Sequence, residues 1–234
     1  KIRPMWPRTA SPSTVSPAVW LAKTMLGAWS ATIASRSMDF TFSAEQAALR
    51  ESVRAFLADR APREYVRRMA EHDDVGITPE VWQAVADLGW TGVLVPEGAG
   101  GLGLGVVDMV VVAEEMGRAL FPGPFFSSAV LATLAARALG LDDLLADLAT
   151  GGRRGTVALD ESGHGDPLER VGLRAIGRGE RYRLAGTAPM VMDGASADWA
   201  LVPARTREGL RTFVVEGPGA YATLAPSLDL TRRF

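Results

Sequence analysis

Few side chains in this sequence could carry out chemistry by themselves. The chain of 234 residues contains no cysteine and only two histidines, His72 and His164. Without thiolates it offers no disulfide, no thiolate zinc site and no cysteine nucleophile. Because there are only two histidines and they lie far apart in sequence, a histidine metal cluster or a serine–histidine hydrolase site is improbable. We therefore predict no metal site.

A glycine-rich segment, Gly98–Gly103, fits the G-x-G-x-x-G pattern that cradles a dinucleotide pyrophosphate. The hydrophobic run Val93–Val95 before it is typical of a strand, and a helical pattern follows. A dinucleotide fold also needs a second parallel strand with an acidic residue about 20 positions further on. At that distance the sequence has Phe121–Pro124. We therefore favour close chain packing as the role of these glycines, and a nicotinamide-binding Rossmann domain is the weaker hypothesis.

The overall composition is that of an ordinary globular protein. Hydrophobic residues make up 47% and charged residues 22% of the chain, which excludes intrinsic disorder and collagen-like repeats. The formal net charge of -2 provides no general attraction to nucleic acid or to anionic membranes. We predict that neither is a partner and that the protein is cytoplasmic.

The first 37 residues differ in composition from the rest. They hold five of the 25 basic residues, none of the 27 acidic ones, and both lysines of the chain, Lys1 and Lys23. Met38 follows this break and is a candidate start of the native chain. The leader superficially resembles an organelle transit peptide, whereas its apolar run Val19–Ala22 is far too short to span a membrane. We favour an upstream or non-native extension over a targeting segment, and exclude residues 1–37 from the predicted fold.

Hydrophobic residues between positions 38 and 150 recur at helical spacing. A capping-box pattern at Ser43–Gln46 predicts the start of one helix. Thr78–Pro79 predicts the start of another, which ends at Gly89. The predicted apolar faces comprise Leu49, Val53, Phe56 and Leu57 in the first helix and Val81, Val85 and Leu88 in the second.

A third predicted helix, Val106–Arg118, is so apolar in its first half that we expect burial on most sides. The segment Leu120–Phe126 interrupts the helical pattern with prolines and a glycine. A further helix pair is predicted at Ala129–Leu139 and Asp142–Leu148. Up to Thr150, the sequence thus predicts only helices and connecting loops.

After Gly151–Gly152 the hydrophobic period changes from 3.6 to about two residues, which is typical of strands. The predicted strands are Thr156–Leu159, Val171–Ile176, Tyr182–Leu184, Met190–Met192, Trp199–Val202 and Thr212–Val215. Helices first and strands second indicate an α+β fold rather than a doubly wound sheet. We predict an all-helical domain over 38–150 and an antiparallel β-sandwich or barrel domain over 151–234.

Several motifs, in order along roughly residues 40–234, resemble those of the acyl-CoA dehydrogenase family. They are Val95–Gly103, Ala113–Arg118, Val157–Gly165, Leu184–Gly186, Ala197–Val202 and Asp229–Arg232. The resemblance implies a helical domain, a β-domain and the cofactor FAD. It also implies α,β-dehydrogenation of an acyl-CoA thioester, for which a carboxylate removes the α-proton and the flavin accepts the β-hydride.

In this family a C-terminal helical bundle supplies the catalytic base. The sequence ends at Phe234, shortly after the last motif, so we expect that bundle to be missing and the chain to be inactive alone. The resemblance assigns the base role to none of Glu114, Glu115 and Glu161. We interpret Glu114 and Glu115 as surface or capping charges of a helix and Glu161 as a structural residue.

The resemblance places the flavin wall on two segments after residue 155. The candidate FAD-binding residues are Leu159, Asp160, Gly165, Asp166, Met190 and Met192. Asp160 stands where the family has a threonine, and an ionised carboxylate can only accept hydrogen bonds. Met190 replaces a tryptophan and Met192 a hydroxyl donor. Methionine can contact an aromatic edge, but packing of both methionines in the β-domain core is an equally open alternative.

Two functional hypotheses follow from the resemblance. In the first, the chain belongs to a flavin-dependent acyl-CoA dehydrogenase, with an acyl-CoA substrate and an electron-transfer acceptor. In the second, it is a non-catalytic, dehydrogenase-like subunit that acts through protein–protein contact. Both imply a homo- or hetero-oligomer with dehydrogenase subunits. Retention of FAD by the purified protein separates the two.

Overall fold

The computed structural model describes residues 3–4, 41–159, 164–178 and 181–224. Within these ranges the helices precede the strands, apart from a two-residue strand at Arg3–Pro4, so the α+β prediction is confirmed. None of the described helices is both long and apolar enough to cross a membrane. One compact unit comprises Lys1–Met5 and Glu45–Phe234; a second unit, Trp6–Ala44, falls mostly outside the described residues.

The chain is helical over most of residues 44–149. The elements are α1 (Ala44–Arg60), α2 (Arg63–His72), α3 (Pro79–Asp87), α4 (Val106–Arg118), a π-helical segment (Phe126–Ala132), α5 (Thr133–Leu139) and α6 (Asp142–Ala149). Short 3₁₀ turns lie at Trp90–Gly92, Glu97–Ala99 and Pro218–Tyr221. Helix α2 is an addition to the predicted set, and it buries Tyr65 and Met69 one turn apart.

The predicted faces of the first two helices are largely confirmed. Val53 and Leu57 of α1 are buried, and Leu49 and Phe56 pack against the same core. The Thr78 hydroxyl accepts a hydrogen bond from the Val81 N–H, and Pro79 occupies the first turn of α3. Leu88 is an exception, because it lies past the last turn of α3 and is 45% exposed.

The prediction that α4 is buried on most sides is wrong. Met109, Val111 and Val112 are buried, whereas Val106, Val107 and Val110 are at least half exposed. The helix presents one stripe to the core, and its first turn emerges at the surface after an exposed loop. On this helix, the hydrophobicity of a residue therefore does not indicate whether it is buried.

The glycine-rich segment follows a turn and not a strand, so the Rossmann hypothesis is wrong. Val93–Val95 are buried, but they lie in a turn after a 3₁₀ helix. A Cβ added at Gly101 would sit 2.2 Å from the Val95 carbonyl oxygen. Only glycine fits this close approach of two chain segments. The predicted packing role is therefore confirmed at Gly101, whereas a Cβ on Gly98 or Gly100 would meet no atom within 4 Å.

The strands form one mixed sheet. They are β1 (Arg3–Pro4), β2 (Gly155–Val157), β3 (Arg174–Arg178), β4 (Arg181–Ala185), β5 (Trp199–Thr206) and β6 (Gly209–Glu216), in the order β1-β6-β5-β3-β4 with β2 also paired to β5. The β3–β4 and β5–β6 pairs are antiparallel, as predicted. Strands β2 and β3, by contrast, pair in parallel with β5.

Strand β5 is the centre of the sheet and is buried along most of its length. Trp199 and Leu201 pack against side chains of the helical region, including Val95 and Leu145. The intervening residues Ala200 and Val202 join a cluster confined to residues after 157. The alternation of side chains along one strand thus joins the helical region to the sheet.

Candidate functional site

The segment that carries two of the candidate residues is a turn. Met190–Met192, predicted to be a strand, lies outside the described strands, and residues 192–196 form the turn itself. Met190 and Asp193 both have φ of 53°, in the left-handed region. This conformation costs a non-glycine residue energy and is incompatible with a regular strand, although aspartate tolerates it better than methionine. The strand prediction is therefore wrong at this segment.

Met190, just before the turn, and Met192, within it, differ in their exposure to solvent. The side chain of Met190 is 39% exposed, whereas Met192 is 4% exposed. A flat ligand on the surface could contact Met190, while Met192 lies in the interior as the core-packing alternative expects. Two residues that resemble each other in sequence therefore differ in the contacts available to them.

Hydrogen bonds from two other elements hold this turn in place. The Thr156 hydroxyl of β2 donates to the Met192 carbonyl oxygen at 2.6 Å. The Ser127 hydroxyl of the π-helical segment donates to Asp193 Oδ2 at 2.6 Å. Ser127, Thr156 and Asp193 are all buried. The turn is therefore attached both to the helical region and to the sheet.

The remaining candidates lie on the chain that follows β2. Leu159 is half-buried just after the strand, and its N–H donates to the Val157 carbonyl oxygen. Asp160 lies outside the described residues. Gly165 and Asp166 are exposed, and Asp166 Oδ1 accepts a hydrogen bond from the Leu168 N–H at 2.8 Å. The Arg170 guanidinium donates to the Gly165 carbonyl oxygen at 3.3 Å. The described contacts of Gly165 and Asp166 are thus local ones.

The two glutamates of α4 have different environments. Glu114 is exposed and pairs with Arg50 at 2.8 Å, in line with its predicted surface role. Glu115 is buried, so that prediction is wrong for it. Its carboxylate receives both Nε and Nη2 of Arg54, at 3.1 and 2.8 Å, and Arg118 Nε lies 3.4 Å away. The hydrogen bond from Arg54 holds the pKa of Glu115 below its usual value, despite burial. Glu115 is therefore a structural residue whose charged form is stabilised by Arg54.

Sequence reasoning missed the polar groups that fix the turn, namely Ser127, Thr156 and Asp193. One signal was available, because Ser127 and Ser128 interrupt an otherwise apolar helical pattern. Asp193 directly follows the predicted strand Met190–Met192, and aspartate is typical of turns. The hydrogen bond between Ser127 and Asp193 links positions 66 residues apart, which local sequence patterns do not reveal.

Residues 43–142 match the family model described as the N-terminal domain of acyl-CoA dehydrogenases. The chain is 37% identical over 158 residues to the acyl-CoA dehydrogenase FadE27 of Mycobacterium tuberculosis, an alignment covering 64% of this chain and 41% of the relative. These findings agree with the ordered motifs and with the observed fold. They confirm the resemblance of this chain to the acyl-CoA dehydrogenase family, whose N-terminal domain model matches residues 43–142.

Two solved structures extend this similarity beyond residues 43–142 and into the sheet. The ChsE4–ChsE5 complex of Mycobacterium tuberculosis aligns with a TM-score of 0.67 and 29% identity, over 81% of this chain and 52% of that one. An acyl-CoA dehydrogenase of Bacillus anthracis complexed with FAD aligns with a TM-score of 0.68 and 25% identity, over 82% and 35%. The chain thus spans about half or less of the length of the proteins it matches.

Proposed function

We propose that this chain is part of a flavin-dependent acyl-CoA dehydrogenase, in which a helical domain (38–150) and a β-domain (151–234) form one side of the FAD site. The observation that supports this most directly is the likeness to the FAD-complexed dehydrogenase over 82% of the chain. That alignment spans far more of the chain than residues 43–142 of the family match. It therefore extends into the β-domain, where the candidate flavin residues lie.

The described residues fit a flavin ring in part. Met190 offers an exposed, polarizable side chain next to a turn whose Met192 carbonyl oxygen accepts a hydrogen bond from Thr156. Gly165 is exposed and has no atom within 4 Å of the position of an added Cβ, so a ring can approach its backbone. Met192 is buried, and its carbonyl oxygen accepts a hydrogen bond from Thr156. We assign ring contact to Met190 and Gly165, and support of the turn to Met192.

Bound FAD would accept the hydride from the β-carbon of an acyl-CoA thioester. The part of this chain in that reaction is to hold one face of the ring and to shield it from water. Asp166 is engaged by the Leu168 N–H and orders the loop that presents Gly165. We assign shielding of the site from the side of the sheet to Leu159, which is half-buried just after β2.

Titration of the purified chain with FAD, followed by flavin absorbance, tests this proposal. We expect stoichiometric binding, weakened on the order of tenfold by Met190→Glu because a carboxylate would replace the soft contact surface. Leu210→Glu is the matched control, since Leu210 is also 39% exposed but lies on β6. Failure of the wild-type chain to bind FAD, or equal effects of the two substitutions, would contradict the proposal.

We further propose that no glutamate of α4 acts as the catalytic base. A general base must reach the substrate and have a pKa near the working pH, whereas Glu115 is buried against Arg54 and its pKa is lowered. The resemblance assigns the base to none of Glu114, Glu115 and Glu161. We therefore expect the isolated chain not to oxidise saturated acyl-CoA thioesters when FAD and an artificial electron acceptor are supplied, and clear turnover by the 234-residue chain would overturn this expectation.

The alternative of a non-catalytic partner subunit rests on a specific observation. Met192, which stands where the family has a hydroxyl donor, is buried and cannot replace that donor. A chain that has lost flavin contacts could still shape the acyl-CoA pocket of a neighbouring subunit. A purified chain without FAD that forms a stable complex with a flavin-containing dehydrogenase subunit would favour this function over the first.

A further inference from the structure

Non-glycine residues with left-handed backbone conformations are rare in the described part of the chain, and they are concentrated at the proposed flavin site. They are Leu120, Met190 and Asp193. Two of the three lie within four residues of each other. Residues held in such conformations persist only where surrounding contacts determine them, and they cluster at functional sites. The contacts that impose the conformation on this turn therefore have functional interest.

One of these contacts crosses from the helical region to the turn. Ser127 is fully buried, and its hydroxyl lies 2.6 Å from Asp193 Oδ2 and 3.1 Å from the Pro124 carbonyl oxygen. The single hydroxyl hydrogen favours the nearer acceptor, so the contact with Asp193 is the principal hydrogen bond. Asp193 also organises the turn internally, since its carbonyl oxygen accepts the N–H and the hydroxyl of Ser196.

The segment of the helical region that supplies Ser127 is itself unusual. It is π-helical over Phe126–Ala132, and π-helical turns occur frequently at functional sites. The neighbouring Ser128 hydroxyl faces β2, where it accepts a hydrogen bond from the Gly155 N–H at 3.2 Å. Two consecutive serines thus contact two different parts of the sheet region, and only Ser127 contacts the turn.

We propose that Ser127 and Asp193 are positioning residues that hold Met190 at the flavin ring and keep Met192 out of it. The inference rests on the proposed FAD function and adds residues that contact the turn and not the cofactor. Thr156 holds the backbone of Met192, and the Ser127–Asp193 bond ties the left-handed residue Asp193 to the helical region. Its loss should let the turn move, so that Met192 becomes accessible and Met190 leaves its place.

Methionine oxidation measures this movement without any cofactor. In the wild-type chain treated with dilute hydrogen peroxide, sulfoxide should form rapidly at Met190 and slowly at Met192, since oxidation follows exposure. Ser127→Ala should raise the rate at Met192 on the order of tenfold by populating an open turn. Asp193→Asn retains an acceptor for Ser127 and tolerance of positive φ, so Met192 should stay protected.

Ser128→Ala is the matched control, because it removes an equally buried hydroxyl from the adjacent residue without touching the turn. Each variant is also titrated with FAD, and the absorbance spectrum of the bound flavin is compared. We expect Ser127→Ala to weaken FAD binding several-fold and to change the spectrum, with Asp193→Asn and Ser128→Ala close to wild type.

The outcomes separate the two proposals. If the wild-type chain binds FAD and Ser127→Ala changes neither Met192 oxidation nor the flavin spectrum, the positioning role is wrong and the FAD function stands. Increased Met192 oxidation with unchanged FAD binding would also overturn the positioning role, since the bond would then serve the fold alone. If the wild-type chain binds no FAD, the proposed function fails, and the positioning role fails with it.

Discussion

The helical region and the turn at residues 190–193 bury a carboxylate in two different ways. Glu115 lies on a regular helix and is surrounded by Arg50, Arg54 and Arg118. Asp193 lies on a left-handed turn and accepts a hydrogen bond from the neutral Ser127 hydroxyl. The first arrangement stabilises an unstrained element, whereas the second holds a strained one.

This difference indicates where the chain is a scaffold and where it is specialised. Strain is retained only where other contacts compensate for it, and it is common at ligand sites. The left-handed residue Asp193 lies close in sequence to the exposed Met190, whereas no described contact joins the Glu115 cluster to a candidate residue. We therefore propose that the flavin contacts lie on the sheet side and that the Glu115 cluster stabilises the helical side.

The largest effect is expected where the two regions meet, at Trp199. Its side chain extends from β5 and is fully buried against the helical region, and β2 approaches it so closely that a Cβ on Gly155 would lie 2.4 Å from the indole ring. Trp199→Ala should lower the free energy of unfolding by about 3–5 kcal/mol. Denaturant unfolding measures the change; a loss below about 1 kcal/mol would show that the two regions do not depend on this contact.

Glu115→Gln should have the next largest effect, a loss of about 1–3 kcal/mol. The value lies below that of a fully buried pair because the Arg54 side chain is 48% exposed and can regain water. Unfolding in denaturant at neutral pH gives the number. Glu114→Gln is the control on the same helix, since Glu114 is exposed and its pair should contribute less than about 1 kcal/mol.

The stability of the wild type should depend on pH more strongly than that of Glu115→Gln. Hydrogen bonding from Arg54 lowers the pKa of Glu115 in the folded protein, so the unfolded chain binds more protons in acid. The stabilisation is therefore present above the unfolded pKa of about 4.3 and is lost as the pH falls through the folded pKa. Below about pH 5, the stability of the wild type should fall more steeply than that of Glu115→Gln. Parallel curves would contradict the assignment.

A smaller effect distinguishes two buried tryptophans. Trp82 of α3 donates its indole N–H to the Gly151 carbonyl oxygen at 2.8 Å. The Trp199 indole N–H has no acceptor among the described residues. Replacement by phenylalanine removes similar volume from both sites, but only at Trp82 does it leave a carbonyl oxygen without its donor. Trp82→Phe should therefore cost about 1–2 kcal/mol more than Trp199→Phe, and equal losses would show that the Trp82 bond contributes nothing.

How much the sequence could predict also differs between the two regions. Periodicity and capping residues such as Thr78 located most helices, because these signals are local. Periodicity alone did not distinguish the exposed Val106 from the buried Val111, since both are equally apolar. For the sheet, short hydrophobic runs located β2 to β6 but also predicted a strand at Met190–Met192, where the structure has none. They did not reveal the parallel pairing of β2 with β5, which depends on distant residues.

The candidate site was harder still to predict. The motifs identified the family and the segment around Met190, but a hydrophobic run cannot show that its backbone turns left-handed. The reason lies in the long-range hydrogen bonds from Ser127 and Thr156. These bonds decide which methionine is exposed, and therefore which of the two is available to a ligand.

Hydrogen–deuterium exchange of the purified chain with and without FAD tests whether the flavin binds at the segment that carries Met190. We expect FAD to slow exchange in residues 157–166 and 187–194, and to leave exchange in α1, α2 and the Glu115 side of α4 unchanged. Protection confined to those helices, or equal exchange with and without FAD, would show that the flavin does not bind there.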